Sequence, residues 1–307
     1  MSTAYIFPGQ GSQEVGMGRA LSEAYPVAAR TFEEADDTLG APLSRIMWQG
    51  PEEELVQTQN AQPAILVHSV AVLRVMAGGV EPVMAAGHSL GEFSAHVAAG
   101  TLDFADALTA VRRRGELMAQ AGRERPGTMA AVLGMDDDAV RDVCAQVSTE
   151  ASVVVTANLN SPGQVVVSGD VDAVERSVGA LRDAGARRVV PLNVSGAFHS
   201  PLMAPAQGGL RQALESIKFD RPRFPVVSNV TAAPEHDGLR ARELLVEQLT
   251  SPVRWAESVA TMVQEGVERF LELGPGSVLT GLNRRNARGI PSEALGTPED
   301  LAGLGIQ

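Results

Sequence analysis

The sequence predicts an α/β protein in which a small domain is inserted into a larger one. Two observations lead to this fold class. Short apolar runs at residues 4–7 and 84–86 each end in a glycine-rich turn, as buried strands of an α/β sheet do. Between residues 127 and 192 the pattern changes to short strand-like segments separated by two amphipathic helices. With 307 residues, 44% of them hydrophobic, the chain is long enough to bury a large core.

The larger domain is predicted over residues 1–126 and 194–307. Residues 4–7 form a strand that enters the turn Pro-Gly-Gln-Gly. Residues 84–86 form a second strand, which leads into Gly-His-Ser-Leu-Gly and then a helix that ends at Gly100. A longer helix with an apolar stripe follows. We expect the packed part to end near Arg285 and the tail beyond it to wrap the surface or fray.

The small domain is predicted over residues 127–193. Four strand-like runs occupy residues 128–133, 153–157, 164–168 and 187–192, and helical patterns occupy residues 136–147 and 171–184. The order is therefore β-α-β-β-α-β, the split βαβ arrangement.

Composition excludes several functional classes. The formal charge of -12 argues against nucleic acid as a main partner, because phosphate contacts need a basic face. The single cysteine, Cys144, excludes an internal disulfide and a cysteine-based zinc site, and its valine neighbours predict a buried small side chain. The sequence contains no apolar run of membrane-spanning length and no signal-peptide pattern at its start. We expect a cytoplasmic protein with no membrane contact, no metal and no bound cofactor.

Ser89 is the candidate nucleophile. It is the central residue of Gly-x-Ser-x-Gly at residues 87–91, placed after a strand and before a helix, as in a nucleophile elbow. The flanking glycines have a physical reason, because a Cβ at either position would crowd the backbone where it doubles back. Such a serine needs a base within hydrogen-bond reach, usually a histidine.

Elimination selects His199 as that base among five histidines. His68 lies in an apolar helical run, which predicts a satisfied core histidine. His88 should point away from the serine hydroxyl, His96 is two turns farther along the helix, and His236 lies in a polar loop. The group that orients His199 is not evident, and the missing acid counts modestly against an α/β-hydrolase order of Ser, acid, His.

Two further features concern charge stabilisation. The N–H groups of Leu90 and Gln10 are candidate oxyanion donors, although the second turn has an equally simple explanation as a glycine turn. On the helix predicted over residues 104–120, Arg112 and Arg114 border the apolar stripe and Arg113 lies opposite it. A bordering arginine either binds a buried carboxylate or extends along the edge of the core, and spacing leaves both readings open.

Six motifs in order resemble the malonyl-CoA:acyl carrier protein transacylase family, over about residues 4–285. They are Phe-Pro-Gly-Gln-Gly-Ser-Gln at 7–13, Gln-x-x-Gln-Pro-Ala at 59–64, Gly-His-Ser-Leu-Gly-Glu-Phe at 87–93, Arg-Gly at 114–115, Asn-x-Asn-Ser-Pro-x-Gln-Val-Val-Val-Ser-Gly at 158–169 and Ala-Phe-His-Ser at 197–200. Six motifs in register are far more specific than any one of them.

The resemblance implies an α/β-hydrolase-like large domain with a ferredoxin-like insert. The resemblance also implies roles for individual residues. They are nucleophile Ser89, base His199, oxyanion donors Gln10 and Leu90, carboxylate clamp Arg114, substrate contacts Gln62, Asn160, Phe198 and Gly196, and a histidine-orienting carbonyl near Arg254. Leu90 and Phe198 fit the pattern of members that select malonyl. Gly196 departs from the family, since bulkier residues are usual there, and a smaller residue leaves room for an α-substituted malonyl donor.

The implied reaction moves a malonyl group from coenzyme A to an acyl carrier protein through a Ser89 acyl-enzyme, for fatty acid or polyketide synthesis. The coenzyme A thioester is then a substrate and the carrier protein a partner. Candidate docking residues are the basic groups Arg187, Arg188, Arg284, Arg285 and Arg288. The alternatives are a serine thioesterase or hydrolase, a transferase of larger α-substituted donors, and a non-catalytic scaffold that binds carrier proteins.

Overall fold

The structure is a computed structural model that describes residues 1–305, a mixed α/β protein with two β-sheets. The strands are β1 (Thr3–Phe7), β2 (Met84–Gly87), β3 (Gly127–Leu133), β4 (Val154–Ser161), β5 (Gln164–Asp170), β6 (Arg188–Pro191), β7 (Val226–Val227), β8 (Pro234–Glu235), β9 (Arg269–Leu273) and β10 (Ser292–Leu295).

The helices account for most of the rest of the chain. They are α1 (Arg19–Ala24), α2 (Pro26–Leu39), α3 (Leu43–Gln49), α4 (Glu52–Leu55), α5 (Thr58–Val75), α6 (Gly91–Ala98), α7 (Phe104–Glu124), α8 (Asp137–Val147), α9 (Val171–Asp183), α10 (Ala204–Glu215), α11 (Gly238–Glu247), α12 (Trp255–Gln264), α13 (Val278–Asn286) and α14 (Pro298–Gly303). No helix within residues 1–305 is both long and apolar enough to cross a membrane.

The larger sheet has the strand order β10-β9-β1-β2-β7-β8. All neighbouring strands pair in parallel except β7 and β8. Strand β1 is buried along its whole length, as expected for a central parallel strand covered on both faces. Because β1 and β2 are parallel neighbours, the turns at their carboxyl ends, which carry Gln10 and Ser89, lie side by side.

The smaller sheet is antiparallel, with strand order β4-β5-β3-β6. Its elements follow in the predicted order β-α-β-β-α-β, with α8 and α9 as the two helices. Cys144 is buried in the core between these helices and the sheet, which confirms the predicted small buried side chain. Burial raises the pKa of its thiol to about 12. The smaller sheet contacts the segment that precedes α12, where Asn158 of β4 forms an isolated parallel bridge with Val253.

The tail after Asn286 differs from its prediction. It does not simply wrap or fray: β10 pairs with β9 as an edge strand of the larger sheet, and α14 buries Leu301. Arg269 and Glu293 form an ion pair across these two strands. Charged residues interrupt the short apolar runs of β9 and β10, and this pattern hides both strands from a search for apolar runs.

Candidate active site

A cavity of about 390 Å³ lies where the larger sheet, the smaller sheet and α13 meet. Its polar lining includes Gln10, Gln62, His88, Ser89, Arg114, Asn158, Asn160, Gln164 and His199. Its apolar lining includes Leu90, Met118, Met129, Val166, Leu192, Phe198, Leu279 and Leu282. Most of the residues predicted from sequence therefore face one cavity, although they come from helices, loops and a single strand, β4.

The turn that carries Ser89 has the geometry of a strained elbow. Ser89 has a φ of 53°, in the left-handed region, between β2 and α6. A Cβ at Gly87 would lie 1.9 Å from the carbonyl of Gly91, and a Cβ at Gly91 would lie 2.2 Å from the carbonyl oxygen of Phe7. Only glycine fits at either position, which is the physical reason for the Gly-x-Ser-x-Gly pattern.

Ser89 and His199 form a hydrogen-bonded pair. Ser89 Oγ lies 2.8 Å from His199 Nε2, and His199 Nδ1 lies 2.9 Å from the backbone carbonyl oxygen of Gln248. Because a carbonyl only accepts, Nδ1 carries the proton and Nε2 presents its lone pair to the serine hydroxyl. His199 also has a positive φ, of 56°. The pair chosen by elimination is within hydrogen-bond reach, as a nucleophile and its base require.

The predicted position of the orienting carbonyl is wrong. It belongs to Gln248, at the end of α11, and not to the segment around Arg254. The last carbonyls of a helix have no intrahelical partner, so the Gln248 carbonyl is available to the histidine. The backbone beside Arg254 is occupied elsewhere: Val253 bonds to β4, and the Arg254 N–H donates to the carbonyl of Asn229. The Arg254 side chain pairs with Glu257.

Burial keeps His199 neutral. The side chain is enclosed, and this desolvation, assisted by the nearby Arg114 guanidinium, lowers its pKa to about 3. A neutral imidazole at neutral pH is the form that accepts a proton from a serine hydroxyl.

We expect the imidazole of His199 in the unliganded protein to remain neutral as the pH falls from 8 to 5. The reason is that a lowered pKa places protonation well below the ordinary range of histidine near 6.5. Heteronuclear NMR of histidine-labelled protein, with the signal assigned by its loss in His199→Gln, measures this directly. A titration midpoint near 6.5 would contradict the expectation.

The other histidines are placed as the sequence suggested. His68 is buried, with Nε2 2.9 Å from the carbonyl oxygen of Gly296. His88 forms no hydrogen bond to Ser89, and its Nε2 lies 2.8 Å from Asn160 Oδ1. His96 is buried on α6, and His236 is exposed. None of these four is paired with the Ser89 hydroxyl.

The residues that carry the two predicted oxyanion donors, Gln10 and Leu90, line the same cavity as Ser89. Among residues 1–305, neither the Leu90 N–H nor the Gln10 N–H donates to a protein acceptor. The Gln10 side chain is held separately, because its Nε2 donates to Thr58 Oγ1 at 3.1 Å. Two unpaired N–H groups at a cavity wall are what an oxyanion site requires, and the role of both stays a prediction.

Arg114 lies inside the site, unlike its two neighbours on α7. Its side chain is 1% exposed, and Nη2 donates to Ser89 Oγ at 3.1 Å. Nη1 donates to Gln62 Oε1 at 2.5 Å. Desolvation lowers the pKa of Arg114 to about 10, so the guanidinium remains charged at neutral pH. Arg112 donates instead to the Gln59 carbonyl and to Asn60, and Arg113 pairs with Glu116 at the surface.

The remaining predicted contacts divide into two groups. Gln62, Asn160 and Phe198 line the cavity. Gly196 does not, which corrects its prediction as a substrate contact: a Cβ there would lie 3.3 Å from Phe198 Cε1, behind the wall. The space that a missing side chain leaves at Gly196 is therefore not space in the cavity.

Sequence reasoning missed three buried polar residues that support the elbow. Asn229 Oδ1 accepts from the Ser89 N–H at 2.7 Å, and Asn229 Nδ2 donates to the Gly87 carbonyl at 2.7 Å. The Asn229 N–H donates to Glu92 Oε2 at 3.1 Å, and Gln248 Nε2 donates to the same oxygen at 2.7 Å. Glu92 carried a signal, because it is a charged residue next to the elbow motif. Gln248 and Asn229 lie in none of the motifs that the sequence shows, so no sequence signal identifies them.

A match to a family model shows which protein family the chain belongs to. A family model described as an acyl transferase domain matches residues 4–302. The chain belongs to the acyl transferase domain family. This acyl transferase is 47% identical over 305 residues to the malonyl CoA-acyl carrier protein transacylase of Bacillus subtilis, covering 99% of this chain and 96% of the relative. It is 47% identical to the Escherichia coli K12 protein of the same description, covering 97% of each chain.

Solved structures agree with the acyl transferase along its whole length. A malonyl-transacylase in complex with its type II PKS acyl-carrier protein superposes with a TM-score of 0.96, at 45% identity and 99% coverage of each chain. An acyl carrier protein S-malonyltransferase from Vibrio cholerae superposes with a TM-score of 0.94, at 43% identity, covering 99% of this acyl transferase and 100% of that chain.

Proposed function

We propose that this acyl transferase moves a malonyl group from coenzyme A to the pantetheine thiol of an acyl carrier protein, for fatty acid or polyketide synthesis. One observation carries the proposal: the buried guanidinium of Arg114 lies 3.1 Å from the Ser89 hydroxyl, which itself lies 2.8 Å from a neutral histidine. A nucleophile beside a buried cation suits an acyl group that ends in a free carboxylate. Relatives described as malonyl CoA-acyl carrier protein transacylases support the same reaction.

The first half-reaction forms the acyl-enzyme. Ser89 Oγ attacks the thioester carbonyl while His199 Nε2 takes the hydroxyl proton, which gives a tetrahedral intermediate. The N–H groups of Leu90 and Gln10 stabilise its oxyanion. The C–S bond then breaks, and the proton held by His199 passes to the departing coenzyme A thiolate. The Gln248 carbonyl stabilises the imidazolium by accepting from Nδ1 throughout.

The second half-reaction reverses these steps with a different thiol. The pantetheine thiol of the carrier protein gives its proton to His199 and attacks the ester carbonyl of malonyl-Ser89. When the C–Oγ bond breaks, the proton returns to Ser89. The chemistry uses only protein groups and the two thiol compounds, so we propose that it requires no cofactor or metal. We place the reaction in the cytoplasm, as the sequence predicts.

We propose that the donor is selected by the charge of Arg114 and by the residues that line the cavity. Arg114, held by Gln62 through Nη1, binds the free carboxylate of the acyl group, and Asn160 and Phe198 contribute to the cavity wall. Gly196 gives no extra room for a larger α-substituted donor, because it lies outside the cavity lining. Malonyl is therefore the donor that we propose.

The architecture supports a finer description of the fold. We propose that the larger sheet with its helices is an α/β-hydrolase-like domain over residues 1–126 and 194–305; the last two residues of the predicted range, 306 and 307, lie outside the described residues. The small domain, residues 127–193, is proposed to be ferredoxin-like, which its β-α-β-β-α-β order and antiparallel sheet support. In this arrangement the cavity lies in the cleft between the domains, a usual position for a ligand site.

The carrier protein is proposed to dock beside the cavity mouth on α13. Among the residues described, Arg284, Arg285 and Arg288 are exposed and lie in no ion pair, and Arg285 Nη1 lies 3.4 Å from Gln164 Oε1 at the cavity edge. Arg187 and Arg188 are also exposed without an ion pair in the described residues. In a chain of net charge -12, such unpaired arginines are the groups available to an acidic partner.

Charge reversal by Arg285→Glu is expected to raise the KM for holo acyl carrier protein by about tenfold with little change in kcat, because steering charges act mainly on association. The measurement follows transfer from preformed malonyl-enzyme at low salt. Arg240→Glu is the matched control, since Arg240 is already paired with Glu243 and Glu247 on α11. An equal rise in KM in both variants would show that the position of the reversed charge does not matter and would contradict docking at Arg285.

Intact-protein mass spectrometry tests the proposed function. The protein is incubated briefly with malonyl-, methylmalonyl-, ethylmalonyl- or acetyl-CoA, and holo acyl carrier protein is then added. A malonyl adduct on Ser89 that persists in buffer and moves to the carrier supports the transferase. An adduct that is lost to water instead would support a thioesterase, and the absence of any adduct would leave a non-catalytic scaffold.

A further inference from the structure

The side chain of Gln248 lies between two buried charges. Its Oε1 accepts from Arg114 Nη2 at 2.8 Å, and its Nε2 donates to Glu92 Oε2 at 2.7 Å. All three side chains are buried, with relative exposures of 0% for Gln248 and 1% for Arg114 and Glu92. The carboxylate and the guanidinium form no direct ion pair, so one amide group separates them.

The surroundings fix the direction of this amide. Nε2 faces three acceptors, because besides Glu92 it donates to the Ser89 carbonyl at 3.0 Å and approaches Asn229 Oδ1 at 3.4 Å. Oε1 faces a cation. Reversal would place an amide oxygen against three acceptors and an NH₂ group against a guanidinium, which hydrogen bonding forbids.

We propose that the Gln248 side chain is a specificity-determining spacer that prevents Glu92 from pairing with Arg114 and so keeps the guanidinium available to the acyl carboxylate. This inference rests on the proposed function. It concerns the side chain alone, and is separate from the role of the Gln248 backbone carbonyl, which orients His199.

Glu92 and the carboxylate of the acyl group are potential competitors for the buried guanidinium of Arg114. A carboxylate in direct contact with Arg114 would form a strong buried pair, and the carboxylate of the acyl group would have to displace it. With the amide between them, Glu92 still supplies a nearby negative charge, which favours the charged guanidinium. One donor of Arg114 is unused in this structure, because its buried Nε has no acceptor among the described residues.

The test first removes the Gln248 side chain and then also removes the charge of Glu92. In Gln248→Ala, Glu92 and Arg114 are expected to pair directly or through water, so the ratio of malonyl-CoA to acetyl-CoA acylation rates falls at least about tenfold. Adding Glu92→Gln to this variant removes the competing charge and is expected to restore most of the ratio. Assays at pH 8 keep Glu92 ionised, since burial raises the pKa of its carboxyl to about 7. Gln248→Ser, which is also too short to separate the two charges, serves if the alanine variant does not fold.

Gln62→Ala is the matched control. Gln62 also accepts from Arg114, but its Nε2 contacts the sulfur of Met118 and not Glu92. Glu92→Gln is therefore expected to rescue the Gln248 variant and not the Gln62 variant. Failure of the rescue, or equal rescue of both, would overturn the spacer. Failure of the wild-type protein to form malonyl-enzyme would overturn the proposed function and the spacer together, so the two failures are distinguishable.

Discussion

Replacement of Ser89 by alanine is expected to abolish the malonyl-enzyme and to lower the rate of transfer to the carrier protein by at least about 10⁴-fold. The hydroxyl oxygen lies 2.8 Å from His199 Nε2 and 3.1 Å from Arg114 Nη2. Alanine has a Cβ as serine does, so the strain at a φ of 53° is unchanged and the elbow should fold as before. Intact-protein mass spectrometry and steady-state transfer assays measure the two effects.

Ser94→Ala is the matched control for this variant. Ser94 is a buried serine on α6, the helix that follows Ser89, and its Oγ has no hydrogen-bond partner among the residues described. Loss of this hydroxyl should therefore leave both the adduct and the thermal midpoint close to those of the wild type. A malonyl adduct that persists in Ser89→Ala would place the nucleophile elsewhere.

The elements of the fold that sequence predicts best are those with simple periodicity. The helix predicted at residues 171–184 is observed at Val171–Asp183, because its apolar positions repeat at helical spacing. Strands β9 and β10 escaped prediction because Glu272 and Glu293 interrupt their apolar pattern. The Glu272 carboxylate is buried, and it accepts from the N–H groups of Leu279 and Thr280 at the start of α13. Such a cap forms only when β9 and α13 pack together, so the local sequence pattern does not reveal it.

The residues of the active site also divide into those that the sequence reveals and those that it does not. Ser89 is recognisable because its motif records a backbone constraint, and His199 follows because few histidines remain. The residues that support Ser89 are not recognisable in this way, because they are distant in sequence. Gln248 contacts the Ser89 carbonyl across a separation of 159 residues, and Asn229 contacts the Ser89 N–H across 140 residues. A backbone carbonyl has no residue identity, so the path of the chain alone decides that Gln248, and not Arg254, orients the histidine.

Replacement of Arg114 by methionine is expected to lower kcat/KM for acylation by malonyl-CoA by about 100-fold relative to acylation by acetyl-CoA, or about 3 kcal/mol. Methionine keeps most of the buried volume, so the change isolates the charge. Both donors lose the contact between Arg114 and Ser89 Oγ, and only malonyl loses the partner of its carboxylate. Glu92 tolerates the loss, because its pKa is already about 7 and protonation removes an uncompensated charge.

Arg113→Met is the matched control, since Arg113 is the adjacent residue on α7 and pairs with Glu116 at the surface. It should leave the ratio of the two donors unchanged. If Arg114→Met lowered both donors equally, the guanidinium would act on the nucleophile and not on the substrate. The carboxylate of the acyl group would then need another partner. The difference between the donors, and not the absolute loss, therefore decides what Arg114 recognises.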